Sequence, residues 1–108
     1  MRRGDFVTIV IQGDFGKPRP ALVVQSDAFD AHATVTVLLV SSLMVETPLF
    51  RVTVHPNEKN GLRSVSQVMV DKTMTIKRDK LGKVFGSAND ELMLEVSRSL
   101  AVFLGIAR

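Results

Sequence analysis

Thr34-Val35-Thr36-Val37-Leu38-Leu39-Val40-Ser41 is the stretch on which the reading of this chain turns. It opens as an alternation of threonine and valine, the period of a strand with two unlike faces. It closes on an unbroken apolar run, Val37 to Val40, which calls for burial on both faces. Such a strand belongs in the middle of a sheet. Upstream, Phe6 to Ile11 is a β-branched strand ended by Gly13 and Gly16. A second strand begins among Lys17-Pro18-Arg19-Pro20 and runs through Ala21-Leu22-Val23-Val24-Gln25. Each proline biases the residue before it toward extended backbone, so Lys17 and Arg19 are held straight where that strand starts. Asp27 to His32 reads as a turn or a short helical bulge.

Downstream, Phe50-Arg51-Val52-Thr53-Val54 alternates apolar and polar, as expected of a strand with one wet face. Pro56 to Gly61 is a turn ending on Asn60-Gly61, the pair most tolerant of left-handed backbone. Ser64 to Val70 and Met74 to Ile76 predict two further strands, and Lys83-Val84-Phe85 a short one. Ser87 predicts the cap of a terminal helix, with Asp90 as the reciprocal acid of a capping box. Within that helix Leu92, Val96, Leu100 and Phe103 form a stripe for the core, and Gly105 supplies the stop. The expected fold is mainly β, a mostly antiparallel small barrel with a C-terminal α-helix packed on it, in a single domain over 1–108.

Composition narrows the chemistry. Of 108 residues 45% are hydrophobic and 23% charged, too apolar for a disordered chain. The absence of cysteine removes disulfides, thiolate nucleophiles and cysteine-ligated metals together. Val37 to Val40 is far too short to span a bilayer, and Met1-Arg2-Arg3-Gly4-Asp5 lacks the apolar stretch of a signal peptide, so a cytoplasmic location is expected. Fourteen lysines and arginines against 11 acids leave a net charge of +3, which permits an anionic partner without demanding one.

The two histidines, His32 and His55, show no metal-binding spacing, and no phosphate-binding glycine motif occurs. Three polar features remain. Arg19 is either a guanidinium held for a phosphate by the prolines beside it or a surface arginine in a stiff turn. Ser41-Ser42 ends the most apolar strand, facing a pocket mouth or merely capping the strand. Ser66-Gln67 is a polar pair inside an apolar strand, where an amide commonly satisfies neighbouring backbone.

Arg3-Gly4-Asp5, Gly16-Lys17-Pro18-Arg19-Pro20-Ala21-Leu22-Val23-Val24, the strand ending in Ser41-Ser42, then Ser66-Gln67 and a terminal helix together resemble the MazF/PemK family of toxin endoribonucleases, over nearly the whole chain. The resemblance implies an SH3-like barrel of the CcdB/MazF/Kid type and a homodimer. It implies metal-independent cleavage of single-stranded RNA, without a cofactor, to a 2',3'-cyclic phosphate and a 5'-hydroxyl. It also implies inactivation by a small acidic antitoxin with a flexible tail. Carried over, the family's catalytic arginine is Arg19 and its strand-end threonine is Ser41, here a serine. Its first-loop glutamate has an approximate counterpart in Asp14, the acidic residue before its glutamine is Ser66, and Gln67 is retained. Asp14, Lys17, Ser42 and Gln67 are the expected substrate-binding residues. Leu38, Leu43, Met44, Leu49 and Met69 are apolar beyond the evident needs of one barrel, which suits a dimer. Arg2, Arg3, Lys17, Arg51 and Arg78 are the cations expected to be available to phosphates.

Two alternatives stand beside this one. The chain also resembles CcdB-type gyrase poisons through Val24-Gln25-Ser26-Asp27 and Phe103-Leu104-Gly105-Ile106, with Leu104 where those toxins carry a tryptophan. A catalytically inactive module binding RNA or antitoxin is the other.

Overall fold

The computed structural model describes residues 1–11, 13, 16–46 and 50–108. Six strands and one long helix make the fold: β1 Asp5–Val10, β2 Pro18–Val23, β3 Thr34–Ser41, β4 Arg51–Val54, β5 Ser66–Lys77, β6 Val84–Ser87 and α1 Asp90–Phe103. Single turns of 3-10 helix at Asp27–Phe29 and Arg78–Lys80 join neighbouring elements, the first inside the segment expected to turn. The sheet runs β4-β5-β3-β2-β1-β6 and every pairing is antiparallel. β3 is interior, as its apolar run requires.

Both faces of the sheet are covered. Phe6, Leu22, Leu38, Val40, Val52, Val68 and Val70 form one buried cluster with Val96 of α1. Val7, Ile9, Ala21, Val23, Val35 and Val37 form a second. Adjacent residues such as Phe6 and Val7, or Val37 and Leu38, feed opposite clusters because side chains alternate across a strand. Leu38 is therefore core and contributes nothing to an outer surface.

Sequence reading divided β5 in two, and the register explains why. Leu38 pairs with Thr73 but Leu39 pairs with Met69, so Val70, Asp71 and Lys72 lie in an irregularity between two well-paired halves of one 12-residue strand. Bulges of this kind bend a strand and sharpen its twist, which curls the sheet toward a half-barrel.

β4 and β6 are the two edges of that sheet, and the turn after β4 closes the space between them. The Ser87 amide donates to the Lys59 carbonyl at 2.8 Å. Two glycines permit this approach: a Cβ on Gly86 would overlap the Asn60 backbone, and one on Gly61, whose φ is +69°, would overlap Phe85. Asn60 fixes the turn from inside. It is 1% exposed; its Oδ1 accepts from the Asn57 and Leu62 amides at 3.1 and 3.0 Å, and its Nδ2 donates to the His55 carbonyl at 2.9 Å.

The helix starts later than expected. Ser87 is engaged as the last residue of β6, and Asn89 caps α1 instead, its Oδ1 accepting from the Leu92 amide at 2.8 Å. Val96 is fully buried and Leu92 and Leu100 pack beside it. Phe103 departs from the predicted stripe: it is 47% exposed, its ring tilted against Phe50 at 6.3 Å between centroids. Gly105, at φ +76°, ends the helix as predicted. No described helix is long and apolar enough to cross a membrane.

Candidate active site

Two facts bring Arg19 and Ser41 together. β2 pairs with β3 through Ala21–Leu39, Leu22–Leu38 and Val23–Val37, with Arg19 two residues before the paired segment on β2 and Ser41 two residues after it on β3. β2 in turn pairs with β1, Arg19 facing Ile9 and Pro20 facing Thr8. Both residues line a groove of about 770 Å³ at this end of the sheet. Lys17, Ser42 and Ser66 line it too, as do Thr8, Arg63 and Lys83. Among the described lining residues there are four cations, Lys17, Arg19, Arg63 and Lys83, and no carboxylate.

Arg19 is partly buried and sits between prolines that also belong to β2. The hydroxyl of Ser41 is poised as a donor. Its Oγ accepts from the Leu43 amide at 3.0 Å, which uses a lone pair and leaves the O–H proton for another acceptor. The neighbouring hydroxyl of Ser66 is directed inward instead. It is 5% exposed and donates to the Ser64 carbonyl at 2.9 Å.

Gln67 stands apart from this groove. Side chains alternate along β5, and Gln67 lines a second groove of about 840 Å³ with Met44, Val45, Glu46, Arg51, Thr53 and Glu95. Its Oε1 accepts from the Val45 amide at 3.0 Å and its Nε2 donates to the Val45 carbonyl at 2.8 Å. Both ends of the amide are thereby engaged in holding the segment that follows Ser41. Asp14, the remaining expected substrate residue, lies outside the described residues, as does Leu49.

The other arginines expected to reach phosphates are mostly committed elsewhere. Arg3 donates its guanidinium to the Val24 carbonyl and the Ser97 hydroxyl, while its amide donates to Asp27 at 2.8 Å. The Arg-Gly-Asp opening is thus a structural clasp joining the N-terminus to β2 and α1. Arg51 pairs with Asp71 at 3.3 Å, both side chains largely buried, and Arg78 donates to the His32 carbonyl at 2.9 Å. Arg2 lies 3.5 Å from Asp27 at the surface. Sequence reasoning missed Arg63 and Lys83. They reach the groove only through the closing turn and β6, and the available signal was the glycine just before each segment, Gly61 and Gly82. No three His, Cys, Asp or Glu side chains cluster as a metal site among the described residues.

Residues 2–104 match the family described as PemK-like, MazF-like toxin of type II toxin–antitoxin systems. A curated relative from Mycolicibacterium smegmatis, described as a probable endoribonuclease MazF, is 43% identical over 108 residues and aligns across 99% of each chain. Among solved structures, an endoribonuclease in complex with its cognate antitoxin from a mycobacterial species superposes with a TM-score of 0.83 at 24% identity, over 100% of this chain and 98% of that one. A MazE–MazF complex from Deinococcus radiodurans gives 0.76 at 25% identity, over 97% and 96%. These likenesses confirm the expected barrel type and favour the nuclease reading over the gyrase-poison one. By sequence across nearly its full length and by fold, the chain belongs to the PemK-like, MazF-like toxins of type II toxin–antitoxin systems.

Proposed function

We propose that the Arg19 groove cleaves single-stranded RNA, and that the chain acts in the cytoplasm as the endoribonuclease toxin of its toxin–antitoxin pair. The observation that carries this reading is a groove with a braced arginine and a donor serine on facing strands, four cations and no carboxylate among its described lining residues. A polyanion is the substrate class such a surface favours.

RNA brings its own nucleophile. The 2'-hydroxyl loses its proton and attacks phosphorus, a new bond forms from O2' to phosphorus, and the bond to O5' breaks as that oxygen takes up a proton. The products are a 2',3'-cyclic phosphate and a 5'-hydroxyl. Charge builds on the non-bridging oxygens during this displacement. The Arg19 guanidinium is matched to two of them and stays charged at any working pH. The Ser41 hydroxyl supplies a further hydrogen bond to the same group. Donors fixed in advance where charge develops typically contribute ~2.7–4 kcal/mol each to transition-state stabilisation.

The same cations suit an acidic antitoxin segment, which would inhibit by occupying the groove. A second copy of the chain is the other proposed partner: Leu43, Met44 and Val45 are 74%, 45% and 37% exposed on one short segment, and Phe103, Leu104 and Ile106 are exposed at the end of the helix. A measured mass in solution tests the homodimer, with a monomer refuting it.

Incubating the purified protein with single-stranded RNA in EDTA tests the activity. The expected result is product ending in a 2',3'-cyclic phosphate, with Arg19→Ala folded and about a hundred- to a thousandfold slower. Intact RNA with inhibited DNA supercoiling would establish the gyrase poison instead; intact RNA that is nonetheless bound would establish the inactive module.

A further inference from the structure

We infer that Arg63 and Lys83 bind the RNA backbone on either side of the cleaved phosphate, as substrate-positioning residues of the groove. This assignment rests on the RNA reading of that groove and extends it to two residues outside the matched motifs. Both side chains are exposed and line the same groove as Arg19, from the turn after β4 and from the residue before β6 rather than from β2. Neither forms an ion pair among the described residues, whereas Arg3, Arg51 and Arg78 are all engaged by protein groups.

The backbone under each is held by contacts that only glycine allows. Arg63 follows Gly61, packed on the backbone of Phe85, and Leu62, whose amide donates to the buried Asn60 side chain at 3.0 Å. Lys83 follows Gly82, where a Cβ would overlap the Thr8 side chain. Around it the Gly82 amide donates to the Thr8 carbonyl at 2.8 Å, and the Thr8 amide donates to the Lys83 carbonyl at 3.1 Å. Two cations on long side chains therefore start from fixed points on different elements. That arrangement recognises a repeating line of phosphates, and it carries no information about base identity.

The test uses a random-sequence single-stranded oligonucleotide with 2'-O-methyl riboses, which lacks the attacking hydroxyl, titrated against the full chain over a range of salt. Each phosphate contact on a single strand contributes about 0.7 to the slope of log affinity against log salt. Arg63→Gln and Lys83→Gln should each lower the slope magnitude by about that amount and the pair by about twice as much. Melting temperatures should be unchanged. Arg98→Gln with Lys77→Gln, exposed cations outside the groove, removes the same net charge and should leave the slope intact. A wild-type slope in the groove pair, or an equal loss in the control pair, overturns the assignment. Its failure is distinct from that of the parent reading. If the unaltered chain cleaves RNA and the groove pair binds as tightly as wild type, only the phosphate assignment falls. If the unaltered chain neither binds nor cleaves RNA, both fall.

Discussion

Two grooves among the described residues are close in size and opposite in character. The one around Arg19, at about 770 Å³, presents Lys17, Arg63, Lys83 and the free proton of Ser41. The one around Gln67, at about 840 Å³, is also polar, but its amide and its arginine are engaged by protein groups. Gln67 holds Val45 at both ends of its amide, and Arg51 holds Asp71. Glu46 and Glu95 add carboxylates that would repel a phosphate chain. Polarity and volume do not distinguish a site from a seam. Hydrogen-bonding capacity left open to a ligand does, because a bonded polar group must break its bond before it can bind anything else.

The sharpest way to break this contrast is to remove one donor from the open groove. Ser41→Ala should slow RNA cleavage about a hundred- to a thousandfold, within the range for a fixed donor at a reacting oxyanion. Stability should move little, because the Leu43 amide that loses its acceptor is exposed and water replaces the hydroxyl. Cleavage at the wild-type rate would place Ser41 with the seam rather than the site.

The complementary change falls on the bonded groove. Gln67→Ala removes two hydrogen bonds to the part-buried backbone of Val45, each contributing about 0.5–1.5 kcal/mol. Chemical denaturation should register that loss as a lower midpoint. If the amide acts by bracing the segment after Ser41, cleavage per folded molecule should fall less than tenfold. A thousandfold loss at unchanged stability would return Gln67 to the list of substrate contacts.

Sequence reasoning succeeded where the cause was local. The apolar run of β3 states its own burial, and prolines beside Arg19 straighten it whatever else the chain does. The choices that failed were settled across the sheet. Ser87 and Asn89 are both competent helix caps, but pairing of β6 with Asp5 and with Lys59 claims Ser87 and leaves Asn89. The polar residues of β5, Asp71 and Lys72, looked like a break between strands because their place in a bulge depends on the register of β3. Phe103 has helical spacing to Leu100 but lies beyond the core that would bury it. Arg63 and Lys83 were missed for the same reason: the glycines before them mark turns, but only the assembled sheet shows that Gly61, Gly82 and Gly86 draw two separate segments against β6 and β1.

The smallest predicted effect separates long-range charge from contact. Ser42 is exposed at the rim of the Arg19 groove, so Ser42→Asp introduces one negative charge where the described lining holds none, with stability expected to stay within about 0.5 kcal/mol. Two unit charges at contact distance in water interact by about 1 kcal/mol, which converts to roughly a fivefold rise in KM for RNA. Screening should shrink that rise as salt is added, because the Debye length falls from about 10 Å at 0.1 M to about 3 Å at 1 M. Glu46→Gln removes one negative charge from the other groove and should leave KM where it was. If the two substitutions shift KM by equal and opposite amounts, the RNA responds to total charge rather than to the groove. If only Ser42→Asp acts, and only at low salt, the phosphate chain runs past Arg19, and what the second groove lacks is an open cation.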